Sequence, residues 1–332
     1  MGTDPDIDEL MAEFREGGVR ALAKTISMVE NGQAGFEEIL SLLHPAVGSA
    51  HRIGITGPPG VGKSTLVQGL ARHYRGSDNT VAVVAVDPTS PFTGGALLGD
   101  RIRMESIALD DGVFMRSMAT RGASGGLAIT TLEVCDVLDA FGFDRILIET
   151  VGTGQSELAI TGTADTAALV LVPESGDGVQ VLKAGVMEIA DVYVVNKSDR
   201  PGADHLMREI RDMLAIRAEA PGSPHQETGD GWNPPVIRTV AIEGEGVGEL
   251  ADTLEQHATA MRTSGALDRR RSERLRKHTR EVVNRFLERH IWKVSNGQQR
   301  LEDGLTRVSS GETSPYQLAE EIVDAALRAR GS

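Results

Sequence analysis

Gly57-Pro58-Pro59-Gly60-Val61-Gly62-Lys63-Ser64-Thr65 decides how this chain is read. The stretch fits G-x-x-x-x-G-K-[ST], a loop that cradles phosphate groups. The apolar run Ile53-Gly54-Ile55-Thr56 before it reads as a strand, and Leu66, Val67, Leu70 and Ala71 after it recur at helical spacing. The motif therefore stands between a strand and a helix, the context it requires. Its glycines let backbone N–H groups turn toward phosphate without Cβ clashes. The helix N-terminus adds free donors and partial positive charge. On this reading Pro59, Gly60, Val61, Gly62, Lys63, Ser64 and Thr65 wrap the phosphates. Lys63 is expected to face solvent or ligand and reach the β- and γ-phosphates, and the Ser64 hydroxyl to ligate Mg²⁺.

Outward from this loop, apolar runs alternate with helical patterns from His51 to about Met261. The strand candidates are Ile53–Thr56, Val81–Val86, Val113–Met118, Arg145–Thr150, Ala167–Val172, Val192–Asn196 and Val236–Val240. Most are continuous rather than alternating, as in strands buried on both faces of a mostly parallel sheet. The predicted fold class is therefore α/β, with helices on both faces of the sheet. Ligands of such sheets bind beyond the carboxyl ends of the strands, and polar or glycine-rich residues follow one strand after another.

Asn196-Lys197-Ser198-Asp199 fits N-K-x-D. The Asp199 carboxylate can accept from guanine N1–H and N2–H₂ together, a pair of donors that adenine lacks. Asn196 is expected to tie this turn to the phosphate loop, and the Lys197 stem to cover the base. Ala241 and Ile242, beyond the last strand, are the remaining candidates for nucleotide contact. Glu149 follows a buried run and can hold Mg²⁺ directly or through water. Asp87 and Asp100 are further metal candidates beside Ser64. Gly152 lets a backbone N–H approach the γ-phosphate, and Gln155 stands where a side chain could orient water.

Composition limits the alternatives. The 332 residues suggest two domains or one with extensions, and 40% hydrophobic residues can fill a substantial core. A net charge of -14 argues against nucleic acid as the main partner. No apolar run approaches membrane-spanning length. Met1–Asp6 is acidic and polar, which predicts no signal peptide, and Asp6 stands where myristoylation needs Ser or Thr. The single cysteine, Cys135, lies in an apolar stretch and reads as a buried thiol. These features point to the cytoplasm. The eight histidines show no i, i+4 pair and no transition-metal cluster.

Three regions follow: helices in residues 1–50, a nucleotide domain over 51–261, and a helical arm over 262–332. The N-terminal helix breaks at Gly17-Gly18. Residues 218–235 read as an exposed insertion. In the arm, one helix is predicted from about Leu267 to Val294 and another from about Pro315 to Arg330. The basic run Arg269–Arg280 reads as a solvated face, beside an apolar stripe of Leu275, Val282, Phe286 and Ile291.

The loop Gly57–Thr65, the stretch Val86-Asp87-Pro88-Thr89-Ser90-Pro91-Phe92-Thr93-Gly94-Gly95 with Leu98-Gly99-Asp100-Arg101, the stretch Glu149–Glu157 and the Asn196–Asp199 turn together resemble the MeaB/MMAA family of P-loop GTPases, also labelled ArgK or LAO/AO transport-system kinases. The resemblance runs nearly end to end. It implies hydrolysis of GTP to GDP with Mg²⁺ and a chaperone of adenosylcobalamin-dependent methylmalonyl-CoA mutase. It implies gating of cofactor loading, with a cobalamin adenosyltransferase as a further candidate partner. It also implies a homodimer joined through the C-terminal arms. A loop matching Glu174–Lys183 carries Asp177 and Lys183 as candidates for partner-stimulated hydrolysis, beside Lys63 and Gln155. The older family label leaves a transport-system kinase or ATPase open, and metal-delivery GTPases are a further alternative.

Overall fold

The computed structural model describes residues 5–88, 107, 109–120, 126–150, 162–173, 190–219 and 232–328. Seven strands, β1 His51–Thr56, β2 Val81–Pro88, β3 Val113–Thr120, β4 Arg145–Thr150, β5 Thr166–Leu171, β6 Val192–Asn196 and β7 Val236–Thr239, form one sheet in the order β3-β2-β4-β1-β5-β6-β7. Every neighbouring pair is parallel. β1, β5 and β6 are buried along their whole length, so their apolar residues run on without alternation. β1 lies between β4 and β5. Connections to the two halves of the sheet diverge there, and open parallel sheets bind ligands at such switch points.

One face of the sheet, through Ile53, Ile55, Val83, Leu147, Val170 and Val194, packs on helices α4 Lys63–Arg75 and α7 Val247–Thr263, which contribute Leu66, Leu70, Leu250 and Leu254. The other, through Val84, Val86, Ile146 and Ile148, shares a core with α1 Pro5–Arg15, α2 Val19–Glu30, α3 Phe36–Leu43 and α5 Gly126–Phe141. Leu22, Ile26 and Ile39 of the N-terminal helices are completely buried in that core, each contributing about 1.5–3 kcal/mol. Phe14 meets Phe141 edge to face at 5.0 Å. The break between α1 and α2 uses Gly17 at φ +83°, a conformation that costs glycine little. A third cluster joins Leu169, Leu171, Tyr193 and Val195 to Leu206, Met207 and Ile210 of α6 Ala203–Glu219. Cys135 is buried, as its apolar surroundings suggest.

At the amino ends of the strands the sheet is closed by buried polar chemistry. β1 begins at His51, ahead of its apolar run, because its first two side chains are paired. His51 Nε2 lies 2.8 Å from Thr166 Oγ1, which in turn lies 2.8 Å from His257 Nδ1. The Arg52 guanidinium donates to Asp136 at 2.7 Å and to Asp139 at 2.9 Å. Burial opposes the Arg52 charge, but the facing Asp136, Asp139 and Asp165 outweigh it and hold its pKa above the ordinary value. Asp139 also accepts the backbone N–H groups of Gly48, Ser49 and Ala50.

The described chain divides into two compact units, Met1–Arg271 and Ser272–Ser332. Helix α8, Ala266–Arg289, begins in the first. There Arg270 clamps Asp191 with two bonds of 2.9 Å, and Arg271 donates to Asp165 at 2.6 and 3.1 Å. The run is therefore not solvated throughout: Arg269 is exposed, but the next two members, Arg270 and Arg271, neutralise two buried carboxylates. Burial would raise the Asp191 pKa, but Arg270 and His257 pull it below the ordinary carboxylate value.

In the second unit α8 ends in a π-helical turn, His290–Val294, and two further helices follow, α9 Gly297–Ser309 and α10 Pro315–Arg328. α9 is not foreseen from the sequence. It packs through Gly304, where a Cβ would stand 2.3 Å from Leu318 Cδ1. α10 opens on a reciprocal cap: Gln317 N donates to Ser314 Oγ at 3.2 Å, and Ser314 N to Gln317 Oε1 at 2.9 Å. On α8, Leu275, Val283, Phe286 and Leu287 are exposed. Among the described residues, no helix is long and apolar enough to cross a membrane.

Candidate nucleotide-binding site

The phosphate-type loop leaves β1 at Thr56 and enters α4 at Lys63. Two of its glycines are required by close approach. Gly57, at φ +141°, has no room for a Cβ, which would lie 2.2 Å from the Val170 carbonyl oxygen. Gly62, at φ +95°, would place a Cβ 2.5 Å from Asn196 Nδ2. Pro59 and Gly60 are exposed, Val61 is buried, and Thr65 is exposed on the first turn of α4. That turn has no side-chain cap, and a helix N-terminus offers backbone donors to an anion.

Lys63 differs from expectation. It is buried, and its ammonium donates to the carbonyls of Gly57 at 2.8 Å and Pro58 at 2.9 Å. The loop closes on its own lysine, which holds the charge inside the turn rather than in solvent. The Ser64 hydroxyl donates to Glu149 Oε1 at 2.5 Å, joining the N-terminus of α4 to the end of β4. Register explains the meeting: Ile55 of β1 pairs with Glu149 of β4. Glu149 shares its face with Leu147, the face that α4 covers.

Asn196 is the hub of the second half of the site. Its Nδ2 donates to the Val61 carbonyl at 2.8 Å, and its Oδ1 accepts from Thr239 Oγ1 and Ala241 N, both at 3.0 Å. One buried amide thus holds three loops: those after β1, β6 and β7. Lys197, at φ +55°, extends its Nζ to the Gly60 carbonyl at 2.8 Å. Ser198 N donates to the Thr239 carbonyl at 3.1 Å, and Asp199 is exposed at the turn. Ala241 is buried, whereas Ile242 is 86% exposed.

The geometry brings together Lys63, Ser64, Glu149, Asn196, Lys197 and Ala241. Asp87 lies on β2 opposite Ala119, with only its backbone described. Asp100, Gly152, Gln155, Asp177 and Lys183 lie outside the described residues. Among the described residues, no group of three His, Cys, Asp or Glu side chains comes together as a metal cage. Sequence reasoning missed Thr239, whose hydroxyl orients Asn196, and the buried pair Thr56 and Thr150, whose hydroxyl oxygens are 3.0 Å apart. The available signal was weak: each is a hydroxyl on the last residue of its strand.

Comparison with known proteins agrees with this geometry. A putative GTPase of Pyrococcus horikoshii is 44% identical over 318 residues, 96% of this chain and 98% of the relative. The mitochondrial methylmalonic aciduria type A homolog of Caenorhabditis elegans is 30% identical over 340 residues, covering 96% of this chain and 83% of its own. The crystal structure of a LAO/AO transport system kinase matches the fold with a TM-score of 0.69 at 23% identity, covering 98% of both chains. The model of a P-loop GTPase family, described as methylmalonyl Co-A mutase-associated GTPase MeaB, matches residues 22–296. With the loop, the hub and the sheet order in place, the chain belongs to that MeaB family of GTPases.

Proposed function

We propose that this chain is a Mg²⁺-dependent GTPase that serves as chaperone to an adenosylcobalamin-dependent methylmalonyl-CoA mutase, gating cofactor loading and protecting or reactivating the mutase. One observation carries the guanine part: the Asn196 amide joins the N-K-x-D turn to the phosphate loop. The mutase part is supported by the family description and by the methylmalonic aciduria relative.

In this reading Asp199 accepts from the guanine edge while Asn196 and Lys197 keep its turn against the loop. Ala241 and Ile242 flank the base. Lys63 turns from the loop carbonyls to the phosphates, and backbone donors from Pro59 to Thr65 share the charge. The oxygen donors Ser64 and Glu149, in direct contact, suit a hard cation that takes few carboxylates. Ser64, Glu149, Asp87 and Asp100 would hold Mg²⁺, which when bound neutralises charge on the β- and γ-phosphates. Gly152 and Gln155 serve the γ-phosphate and the attacking water, and Asp177 and Lys183 respond to the partner.

The exposed apolar residues of α8 support a homodimer formed through residues 262–332. Residues 1–50 and 51–261 are then the helical extension and the GTPase domain, and the complex works in the cytoplasm. The test is single-turnover GTP hydrolysis with and without a candidate mutase, beside co-purification with a non-hydrolysable GTP analogue. Acceleration by the mutase and nucleotide-dependent association are expected. A rate indifferent to every candidate mutase refutes the chaperone role and leaves the GTPase assignment standing.

A further inference from the structure

The GTPase site ends on one face of the sheet in the contact between Ser64 and Glu149. On the opposite face, one residue along each strand, lies a second contact that this reading does not use. β1 and β4 run parallel with Ile55 beside Glu149, so the register carries Thr56 to Thr150. Their hydroxyl oxygens are 3.0 Å apart, and both residues are buried. Successive side chains on a strand point to opposite faces. Thr150 therefore shares the side of Ile146 and Ile148, away from α4.

Around the pair that side is lined by the apolar residues Val84, Val86, Ile146 and Ile148, with the charged Arg52 network confined to the amino end of β1. Two valines would match the shape of the pair and avoid desolvating two hydroxyls. A buried hydroxyl pair in such surroundings supplies direction, because a hydrogen bond fixes an angle and a distance where a methyl contact fixes neither. The two residues also stand at decisive places along the chain. Thr56 is the last residue before Gly57, where the phosphate loop departs. Thr150 is the last residue of β4, directly after Glu149, and the chain continues from it to Gly152 and Gln155.

We propose that Thr150, acting through Thr56, is a positioning residue for GTP hydrolysis. The hydroxyl pair locks the end of β4 to the floor of the phosphate loop. Glu149 is then gripped from both sides, by Ser64 on one face and by its neighbour's bond on the other. Binding of a diphosphate needs only the loop and the base turn, whereas hydrolysis also needs the segment after β4 aimed at the γ-phosphate. Loss of the lock should appear in kcat and spare GDP affinity.

This rests on the GTPase reading, and the experiment separates the two. Full-length wild type, Thr150→Val, Thr150→Ser, Thr56→Val and the double valine variant are compared for kcat, KM and GDP affinity. Loss of one hydrogen bond worth about 1 kcal/mol or slightly more predicts roughly a tenfold lower kcat for Thr150→Val. GDP affinity should stay within about twofold on the same scale. Thr150→Ser keeps the hydroxyl and should restore most of the rate. Thr56→Val should reproduce the deficit, and the double variant should be no slower than either single, since both remove one bond. If Thr150→Val does not fold, Thr56→Val and Thr150→Ser carry the test. An unchanged kcat beside an active wild type overturns the proposal. So does a serine variant as slow as the valine one, or GDP affinity falling in step with kcat. A wild type that turns over no GTP overturns the reading beneath it and the proposal together.

Discussion

Asn196→Asp is the sharpest perturbation the site allows, because it changes one atom of the hub and almost no volume. The Oδ1 side keeps its role, still accepting from Thr239 Oγ1 and Ala241 N. The other side turns from a donor into an anionic oxygen facing the Val61 carbonyl, where the amide now bonds at 2.8 Å. Losing that bond costs about 1 kcal/mol. A buried charge against a carbonyl adds several more, partly offset by the two retained donors. A net of about 3 kcal/mol follows, roughly a hundredfold in an equilibrium constant. The free protein can relieve the clash by letting the N-K-x-D turn swing away from the phosphate loop. Nucleotide binding requires both loops in place, so the cost returns as lost affinity. Titration calorimetry with GDP should therefore show affinity roughly a hundredfold weaker, with melting of the free chain lowered only by a few degrees on this scale. Protonating the introduced carboxyl restores a donor toward Val61, so the deficit should shrink as pH falls. GDP affinity within about twofold of wild type would refute the reasoning, since the hub would then not couple base and phosphate loops.

Lys63→Ala should abolish measurable hydrolysis and weaken triphosphate binding; turnover at the wild-type rate would remove the phosphate loop from the mechanism. Asp199→Asn should lower GTP affinity and admit xanthine nucleotides, whose donor and acceptor pattern suits an amide; competition binding reads it directly. Arg270→Met removes the arginine from a carboxylate that is almost fully buried, leaving it with His257 and the Ala167 N–H, and should cost about 3 kcal/mol in urea unfolding. Adding Asp191→Asn should recover much of that loss. Glu255 gives a pH signature: burial would raise its pKa, but His51 and Arg145 outweigh this and lower it to about 2. Because the folded pKa is depressed, its stabilisation is present above the ordinary carboxylate range and lost as pH falls toward 2. With its side chain 33% exposed, screening leaves about 1–2 kcal/mol, which Glu255→Gln should remove from the acid limb of the stability curve.

The carboxyl edge of the sheet was legible because its chemistry is local in sequence. Gly57–Thr65 and Asn196–Asp199 each carry their donors, turns and charges within a few consecutive residues. The buried strands were legible for a similar reason: continuous apolar runs need no partner to be recognised. What sequence did not yield is non-local. Thr239 and Asn196 are joined across β6 and β7, Thr56 and Thr150 across β1 and β4, and neither pair has a spacing to detect. The burial of Lys63 is a related miss, because a motif names the ligand a lysine serves and not the carbonyls that hold it meanwhile. α9 was missed although Leu301, Leu305 and Val308 recur at helical spacing: the stripe is short, and Gly304 within it reads as a breaker while it serves as a contact with Leu318 of α10.

The two edges of the sheet also solve different physical problems, and this explains the error on α8. At the carboxyl edge, backbone donors are gathered around exposed loops, where water or an anion can meet them, and the lysines bond the loop carbonyls. At the amino edge, Arg52, Asp139, Asp165 and Asp191 are buried, and each must find a partner of opposite charge nearby or destabilise the fold. Acidic residues at strand starts therefore create a demand for arginines from elsewhere in the chain. Asp191 and Asp165 draw theirs from the second turn of α8, so Arg270 and Arg271 look like part of a solvated run while acting as part of the core. It follows that a shortened chain ending before Leu267 would strip both carboxylates of their arginines. One ending after Arg271 would keep them, and should melt higher and bind GDP like the full chain.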